Sequence, residues 1–370
     1  ADAMNVELSR HDGDTRIPVI VLTGFLGAGK TTVLRQMLEQ PGYADHAVLI
    51  NEFGAVGIDQ QVVTPISPDV VLLDSGCLCC QIRGELKEAL VGMLDQRARG
   101  VIPRFRGMVI ETSGLAEPTP ILATMQADPL LSHQLRVART VTVVDAINGL
   151  ATSEARLDEE RAIWWHQVAA ADAILISKGD LDAEAAHRLR LLLQTRLPGV
   201  PVMMRVPGQG VPDFDDLAFG QADAGWAEAG AMRDDHVAVD RMGHASIDDA
   251  SWRAAPVQGP GLPALVQSLV LTAVTPIDWT AFGVWLSALL HVHGRAILRV
   301  KGILDIGEPY PILINGVQHQ IHAPMHLDAW PGQGRRSTLV LIVVGIDPAD
   351  LCASFQRFVH AEAMPMQLDG

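Results

Sequence analysis

The chain has 370 residues, enough for two domains, and 48% of them are apolar, which excludes wholesale disorder. A formal net charge of −15 argues against nucleic-acid binding and docking on an anionic membrane, because both need basic surfaces. No apolar run reaches the ~18 residues of a membrane span, and no signal-peptide pattern is evident. Of four cysteines, three fall within four residues, which indicates metal or redox chemistry in a reducing compartment such as the cytoplasm.

The first predicted element is a buried strand over residues 19–22, which leads into the segment Gly-Phe-Leu-Gly-Ala-Gly-Lys-Thr and then a helix. The segment matches the phosphate-binding pattern G-x4-G-K-[ST] at every fixed position. Its glycines let backbone N–H groups surround phosphates, Lys30 can reach the β- and γ-phosphates, and the Thr31 hydroxyl can ligate Mg²⁺. We therefore predict a P-loop formed by Gly24, Gly27, Ala28, Gly29, Lys30, Thr31 and Thr32.

Short apolar strands recur along the next 180 residues or so and alternate with helical patterns, one of them over residues 84–99. This alternation predicts an α/β fold, a P-loop NTPase with a mostly parallel sheet and helices on both faces. Because parallel strands end at one edge, the loops that follow them are expected at the ligand-binding edge. The strands are predicted at residues 47–50, 70–73, 107–110, 141–144, 173–176 and 201–204.

Two acidic residues at strand ends are candidates for catalysis together with Lys30. Glu111 begins Glu-Thr-Ser-Gly and suits a Mg²⁺ ligand, direct or through water, while Ser113 and the Gly114 amide suit contact with the nucleotide. Glu52 lies in Asn-Glu-Phe-Gly, in a loop that resembles a first switch. The alternative for Glu52 is an exposed loop carboxylate without a catalytic role.

The sixth strand ends in Ser177-Lys178-Gly179-Asp180, which resembles the [N/T]KxD element of GTPases. The Asp180 carboxylate can accept hydrogen bonds from guanine N1–H and N2–H₂, which adenine does not offer, and the Lys178 stem can lie over the base. Ser177 stands where asparagine is usual. The alternative is an ordinary helix start with Asp180 as its N-cap.

The cysteine cluster Cys77-Leu-Cys79-Cys80 is the second candidate site. Three thiolates at this spacing can converge on one Zn²⁺, Co²⁺ or Fe²⁺, and a helix beginning near residue 81 would lower their pKa values. A fourth coordination position would stay open for water or a partner, which suits a transferable metal. A redox-reactive cluster or a chance grouping are the alternatives, and the lone Cys352 is expected in a core.

Taken in order, the motifs GFLGAGKTT, NEFG, GCLCC, ETSGLAEP, TVVDA and SKGD resemble the CobW family of P-loop GTPases, which is related to UreG and HypB. The C-terminal residues are similar to the CobW C-terminal domain. The resemblance implies GTP hydrolysis coupled to metal delivery, with phosphates held by the P-loop, guanine read by Asp180 and metal held by the three clustered cysteines.

Changes in composition divide the chain into a sequence of segments. We expect an N-terminal tail (1–16), a P-loop GTPase domain (17–220), a Gly/Pro/Asp-rich linker (221–262), a smaller α+β domain like the CobW C-terminal domain (263–363) and a C-terminal tail (364–370).

The smaller domain is predicted to be antiparallel. It should contain strands over 296–306 and 338–345, and a hairpin over 312–321 whose type I′ turn is Asn315-Gly316. Two helices are predicted, and the first should bury one face. Their apolar residues are Phe282, Trp285, Leu286, Leu289 and Leu290 in the first helix, and Leu351, Phe355 and Phe358 in the second.

Several histidines in this domain could suggest a second metal site. They are His291, His293, His319, His322 and His326. Strand geometry puts residues 319 and 322 on opposite sides, and Pro324 prevents a helix from aligning 322 with 326. We therefore expect solvated or core histidines, with a transient role in metal handover as the alternative.

The sequence thus predicts a cytoplasmic, Mg²⁺-dependent GTPase that binds GTP and GDP and carries zinc, cobalt or iron to a client metalloprotein or cofactor-synthesis enzyme. A homodimer is possible, and no nucleic-acid or membrane partner is expected. A P-loop small-molecule kinase and a non-catalytic, nucleotide-gated zinc sensor are the alternatives.

Overall fold

The computed structural model describes residues 14–51, 72–74, 82–153, 158–205, 211–219, 252–256, 266–273, 275–331 and 334–359. Internal contacts divide the chain into two compact units. The first comprises residues 1–194 and 200–222, and the second comprises 195–199 and 223–370.

The first unit contains a seven-stranded sheet in which every neighbouring pair of strands is parallel. Its order is β3-β2-β4-β1-β5-β6-β7, so β1 is central. Strands β4 and β6 are buried at every position, which means that both faces of the sheet are covered. The strands are β1 (Ile17–Thr23), β2 (His46–Asn51), β3 (Leu72–Asp74), β4 (Gly107–Thr112), β5 (Leu135–Asp145), β6 (Ala173–Ser177) and β7 (Val202–Met204).

Apart from the connection between β2 and β3, which lies outside the described residues, each pair of consecutive strands is joined through at least one helix, as is usual for parallel strands. The helices are α1 (Lys30–Leu38), α2 (Ile82–Ala98), α3 (Thr119–Ala127), α4 (Pro129–Gln134), α5 (Gly149–Ser153), α6 (Asp158–Ala169), α7 (Ala183–Arg196) and α8 (Phe214–Phe219), with a short 3₁₀ helix at Pro41–Tyr43. The predicted α/β fold with a mostly parallel sheet is confirmed. The chain reverses its direction of winding beside β1, and in such sheets ligands bind where the strand order reverses.

The second unit contains an antiparallel sheet of order β12-β11-β10-β14-β9-β8, with β13 paired to β11. Its strands are β8 (Trp252–Pro256), β9 (Val266–Ala273), β10 (Ile297–Leu304), β11 (Ile312–Val317), β12 (Gln320–Ile321), β13 (Met325–His326) and β14 (Ser337–Val344), and its helices are α9 (Trp279–His293) and α10 (Pro348–Val359). The predicted small α+β domain is confirmed.

One face of this sheet packs with α9 and α10 in a single core. Phe282, Trp285, Leu286 and Leu289 are buried there as predicted, while Leu290 and Cys352 pack at its margin. In α10 the Phe358 side chain is 57% exposed, whereas Val359 is buried. Leu351 and Phe355 lie four residues apart on the buried face, and Val359 continues the same stripe.

The predicted Asn315-Gly316 turn was wrong. Both residues belong to β11, where they pair with Lys301 and Val300 of β10. The chain turns two residues later, at Gln318, whose φ is +51°. A Cβ on Gly316 would lie 2.3 Å from Ile321 Cδ1, so the glycine is explained by close packing rather than by a turn.

Strand β8 lies inside the stretch predicted as a linker (221–262) and pairs with β9. At least this part of the stretch therefore belongs to the second sheet. Among the described residues, no helix has the length and apolar character needed to cross a membrane.

Candidate functional site

The loop between β1 and α1 begins with a glycine that no other residue could replace. Gly24 has a φ of +144°, and a Cβ at this position would lie 2.2 Å from the Val143 carbonyl oxygen. Gly27 and Gly29 also have positive φ, at +71° and +92°. The loop therefore curls in the conformation that lets backbone N–H groups face an anion, which is the shape a phosphate needs.

Lys30 is the first residue of α1 and is only 9% exposed. Its Nζ donates hydrogen bonds to the carbonyl oxygens of Gly24 at 2.8 Å and Phe25 at 3.3 Å. The ammonium group is thus folded back over the mouth of the loop, at the positive end of the helix. This is the position from which it can neutralise a bound phosphate.

Thr31 and Glu111 lie together at the edge of the sheet. The Thr31 hydroxyl donates to Glu111 Oε1 at 2.8 Å, and Glu111 is 3% exposed. Glu111 is part of β4 and is in register with Leu22 of β1. A hydroxyl and a carboxylate brought together beside a phosphate loop are the oxygen ligands that Mg²⁺ prefers, so the residues present fit that ion.

The segment that follows Glu111 lies directly against the P-loop. Thr112 Oγ1 donates to Thr23 Oγ1 at 2.9 Å, which joins the ends of β4 and β1. A Cβ on Gly114 would lie 2.8 Å from both the backbone nitrogen and the Cα of Leu26. Only glycine allows this close approach of the two backbones. A movement of either loop would therefore displace the other.

The predicted base-reading segment is tied to the same loop. Ser177 is fully buried, and its hydroxyl donates to the Ala28 carbonyl oxygen at 2.6 Å. Lys178 has a φ of +56°, and its Nζ donates to Asp145 Oδ2 at 2.6 Å. Asp180 is exposed, with its carboxylate free to meet solvent or a ligand at this edge.

Asp145 is a site residue that was not predicted. Its carboxylate accepts hydrogen bonds from Lys178 Nζ, from the Ile147 backbone N–H at 2.8 Å and from Asn148 Nδ2 at 2.8 Å. Burial raises the pKa of Asp145, but the hydrogen bonds from Lys178, Asn148 and Ile147 outweigh it and leave that pKa below its usual value. The sequence feature that could have indicated Asp145 is its position at the end of an apolar strand, in Thr-Val-Val-Asp-Ala.

Gln167 on α6 was also not predicted. Its Nε2 donates to the carbonyl oxygens of Gly114 and Ala116, both at 3.0 Å, and its side chain is fully buried. No sequence motif marks it, because its importance depends on packing between a helix and a loop about fifty residues apart along the chain.

Four predicted residues fall outside the described part of the chain: Glu52, Cys77, Cys79 and Cys80. Within the part that is described, no group of three or more His, Cys, Asp or Glu side chains could hold a metal ion. The C-terminal histidines, as far as they are described, accordingly form no such cluster. His326 lies 3.7 Å from a Glu308 oxygen on the exposed surface.

Two family models match the chain. Residues 18–202 match the nucleotide-binding domain of CobW, HypB and UreG, and residues 266–359 match the C-terminal domain of the cobalamin synthesis protein CobW. The two matched ranges coincide with the parallel sheet and with most of the antiparallel sheet.

Relatives with both parts are known. The chain is 31% identical to the zinc chaperone YjiA of Escherichia coli K12 over 348 residues, which is 92% of this chain and 98% of that protein. It is 28% identical to the zinc chaperone CobW of a Sinorhizobium species over 363 residues, 91% of this chain and 95% of the relative.

A solved structure shares the fold. The crystal structure of the Zn(II)-bound YjiA GTPase from E. coli superimposes with a TM-score of 0.65 and 26% sequence identity, over 93% of this chain and 99% of that one. The matched models, the full-length relatives and the shared architecture agree with the resemblance seen in the motifs. The chain belongs to the CobW/HypB/UreG family of P-loop nucleotide-binding proteins.

Proposed function

We propose that this chain is a GTP-hydrolysing metallochaperone that binds zinc and delivers it to a client metalloprotein or a cofactor-synthesis enzyme. The observation that carries the proposal is the contact between Thr31 and Glu111 beneath a complete P-loop, because it unites phosphate and Mg²⁺ ligands at one edge. The names of the relatives, zinc chaperone and GTPase, support both halves of the proposal.

Each residue at this edge has a role that follows from its chemistry. The P-loop backbone N–H groups hold the phosphates, and Lys30 neutralises the charge that develops on them. Thr31 and Glu111 hold Mg²⁺, which when bound neutralises further charge on the phosphates. The Gly114 amide contacts the γ-phosphate, so the loop that begins at Ser113 distinguishes GTP from GDP.

At the other end of the nucleotide, Asp180 accepts the two N–H groups of guanine. Lys178 is held by Asp145 so that its stem covers the base. The Ser177 hydroxyl donates to the Ala28 carbonyl oxygen, and in this way fixes the distance between the base site and the phosphate site. Glu52 is proposed to contact the γ-phosphate side of the site from its own loop.

Zinc is proposed to bind Cys77, Cys79 and Cys80. Strand β3 leads into this segment, and its last residue, Asp74, is in register with Ile50, which is in register with Glu111. Asp74 therefore lies at the edge that carries the nucleotide site, and Cys77 follows it by only three residues in the sequence. This placement supports coupling between the two ligands: the γ-phosphate orders the neighbouring loops, and hydrolysis releases both that order and the metal.

Guanine selectivity is tested by Asp180→Asn. The substitution removes two charge-assisted hydrogen bonds to guanine, so GDP affinity should fall by about 10–100-fold. The asparagine amide can instead donate to the C2 carbonyl of xanthine, so XDP binding should improve. Isothermal titration calorimetry with both nucleotides measures this. Asp182→Asn is the matched control, because Asp182 only caps α7 through the Ala185 N–H and asparagine caps equally well.

Unchanged GDP affinity in the Asp180→Asn variant would assign Asp180 to the structure of the loop and would refute its role in reading guanine. Equal affinity of the unaltered protein for ATP and GTP would contradict the GTPase proposal as a whole.

The metal half is tested by Cys79→Ser. Loss of one of three thiolates should weaken Zn²⁺ binding by at least about 100-fold and leave GDP affinity nearly unchanged. Competition with a chromophoric zinc chelator gives the affinity, and Cys352→Ser is the control because that thiol packs at the margin of the second core. Equal zinc affinity in both variants would refute the proposed site.

Coupling is tested by titrating Zn²⁺ with GDP or a slowly hydrolysed GTP analogue already bound. Zinc affinity should differ between the two nucleotide states, and Zn²⁺ should alter single-turnover GTP hydrolysis. Binding of both ligands without metal-stimulated hydrolysis would instead identify a non-catalytic, nucleotide-gated sensor. Identical zinc affinities in the two nucleotide states would refute the coupling. Phosphate transfer to an added small-molecule acceptor would identify a kinase.

A further inference from the structure

Helix α6 contacts the loop that joins β4 to α3 through one buried amide. Gln167 Nε2 donates its two hydrogens to two different carbonyl oxygens of that loop, Gly114 O and Ala116 O, each at 3.0 Å. A primary amide has two N–H donors, so both are used on one short segment. The side chain has no exposure to solvent.

The orientation of this amide is determined by its surroundings. If the amide were reversed, its oxygen would face two carbonyl oxygens and repel both. In the observed orientation Gln167 Oε1 has no hydrogen-bond partner among the described residues, although it is buried. A buried acceptor without a partner lowers stability, which offsets part of what the two donated hydrogen bonds contribute. The contacts that its side chain makes are the hydrogen bonds from Nε2 to the carbonyl oxygens of Gly114 and Ala116.

Gln167 holds the turn at residues 113–116, which in the proposed function lies against the γ-phosphate. Within it the Ala116 N–H donates to the Ser113 carbonyl oxygen at 3.1 Å, which forms a tight turn around Gly114. Gly114 in turn lies against the backbone of Leu26 in the P-loop, where an added Cβ would be 2.8 Å away. The Gly114 carbonyl belongs to the peptide between Gly114 and Leu115. Holding this carbonyl therefore fixes the plane of that peptide and, with it, the position of Gly114 relative to the phosphate loop.

The residue next to Gln167 forms a second link to the same loop. His166 Nδ1 lies 2.7 Å from Glu117 Oε1. The helix itself is anchored to the sheet, since Thr142 Oγ1 of β5 donates to the Gln167 carbonyl oxygen at 2.8 Å. The helix is thus a fixed support, and the loop is held against it at both ends.

We propose that Gln167 is a positioning residue that holds the 113–116 turn in the arrangement in which the Gly114 N–H meets the γ-phosphate. This inference rests on the proposed function, in which that loop senses the γ-phosphate. Gln167 touches neither the P-loop nor the base-reading segment through any contact described here, so it should act on the triphosphate state and not on nucleotide binding in general.

The test uses the full-length chain with Gln167→Glu, which keeps size and shape but replaces the amide donors, and Gln167→Met, which keeps length without polar groups. Gln194→Glu and Gln194→Met are the matched controls, because Gln194 lies on α7 with its side chain exposed. Affinities for GDP and for GTPγS are measured by fluorescence titration, and GTP turnover by phosphate release.

In both Gln167 variants the affinity for GTPγS should fall about tenfold and kcat for GTP should fall at least as much, while GDP affinity changes less than about twofold. Both Gln194 variants should bind both nucleotides in the unaltered ratio. Parallel loss of GDP and GTPγS affinity, or an unchanged ratio, would overturn the positioning role. Failure of both Gln167 variants to fold would overturn it too, in favour of a purely structural role.

The two proposals fail in different ways. If the unaltered protein does not hydrolyse GTP, the proposed function itself is wrong. If it hydrolyses GTP and the Gln167 variants retain its ratio of GTPγS to GDP affinity, only the role of Gln167 is wrong.

Discussion

The two sheets of this chain place their polar residues differently. In the parallel sheet, polar side chains gather where strands end at one edge: Thr23, Glu111, Asp145 and Ser177 all lie within two residues of a strand's carboxyl end. In the antiparallel sheet, the buried cations Arg299 and Lys301 lie in the middle of β10. Neighbouring antiparallel strands end at opposite edges, so their ends cannot be gathered together.

The difference shows where in each sheet a ligand-binding site can form. A parallel sheet brings the loops after several strands to one edge, so residues far apart in sequence, such as Thr31 and Glu111, meet there. The antiparallel sheet of the second unit buries one face against α9 and α10 and is organised around its core instead. Substitutions at the ligand edge of the first sheet should therefore affect ligand binding, and substitutions in the second core should affect stability.

The largest expected effect is on the second core. Phe355 is fully buried and meets the Trp285 ring edge-on at a centroid distance of 4.9 Å. Phe355→Ala should lower the free energy of unfolding by about 3–5 kcal/mol, because it leaves a cavity. Phe358→Ala, on the same helix but 57% exposed, should change it by less than about 0.5 kcal/mol. Chemical denaturation followed by tryptophan fluorescence checks both, and equal effects would contradict the assigned core.

The next effect is at the P-loop. Lys30→Ala removes the cation that faces the phosphates and should reduce GTP turnover by roughly 10²–10³-fold with little change in the free energy of unfolding. Phosphate release under saturating GTP measures it. Lys87→Ala is the control, since that exposed lysine pairs only with Asp128 at 2.7 Å and such surface pairs contribute little. Retained turnover in Lys30→Ala would show that the ammonium group has no part in the chemistry.

A smaller effect concerns pH. Burial lowers the pKa of His46 to about 4, with the nearby Arg106 charge contributing further. The unfolded chain therefore binds the proton at higher pH than the folded chain, and the free energy of unfolding should fall as the pH drops from about 6.5 to 4, by up to ~1.4 kcal/mol per pH unit. Urea unfolding at several pH values measures the slope.

His46→Leu should remove this contribution over the same range, because leucine does not titrate. An equal slope in both proteins would mean that His46 is not the group responsible.

The smallest effect is at the link between the base and phosphate sites. Ser177→Ala removes the hydroxyl that donates to Ala28 O and should weaken GDP binding by about 2–10-fold. Ser132→Ala is the control, because its hydroxyl donates to Pro129 O on an exposed helix. Calorimetry compares the two variants. Identical GDP affinities would show that the link does not help to shape the site.

Local patterns were enough to predict the phosphate loop and the sheet. The spacing of Gly24, Gly29 and Lys30 needs no tertiary information, because backbone conformation and charge within eight residues create the anion site. The alternation of strands and helices similarly predicted the parallel sheet. The Asn315-Gly316 turn was predicted wrongly because pairing of β11 with β10 overrode a local turn preference.

What the sequence alone determined, then, is the P-loop pattern, the alternating fold and the family. Only the tertiary structure decided which distant groups complete the site: Asp145 holding Lys178, Ser177 holding Ala28, and Gln167 holding the turn at Gly114. The physical reason is the distance along the chain between the residues that interact. Backbone conformation depends on neighbouring residues, whereas a buried hydrogen bond depends on where packing brings its partner.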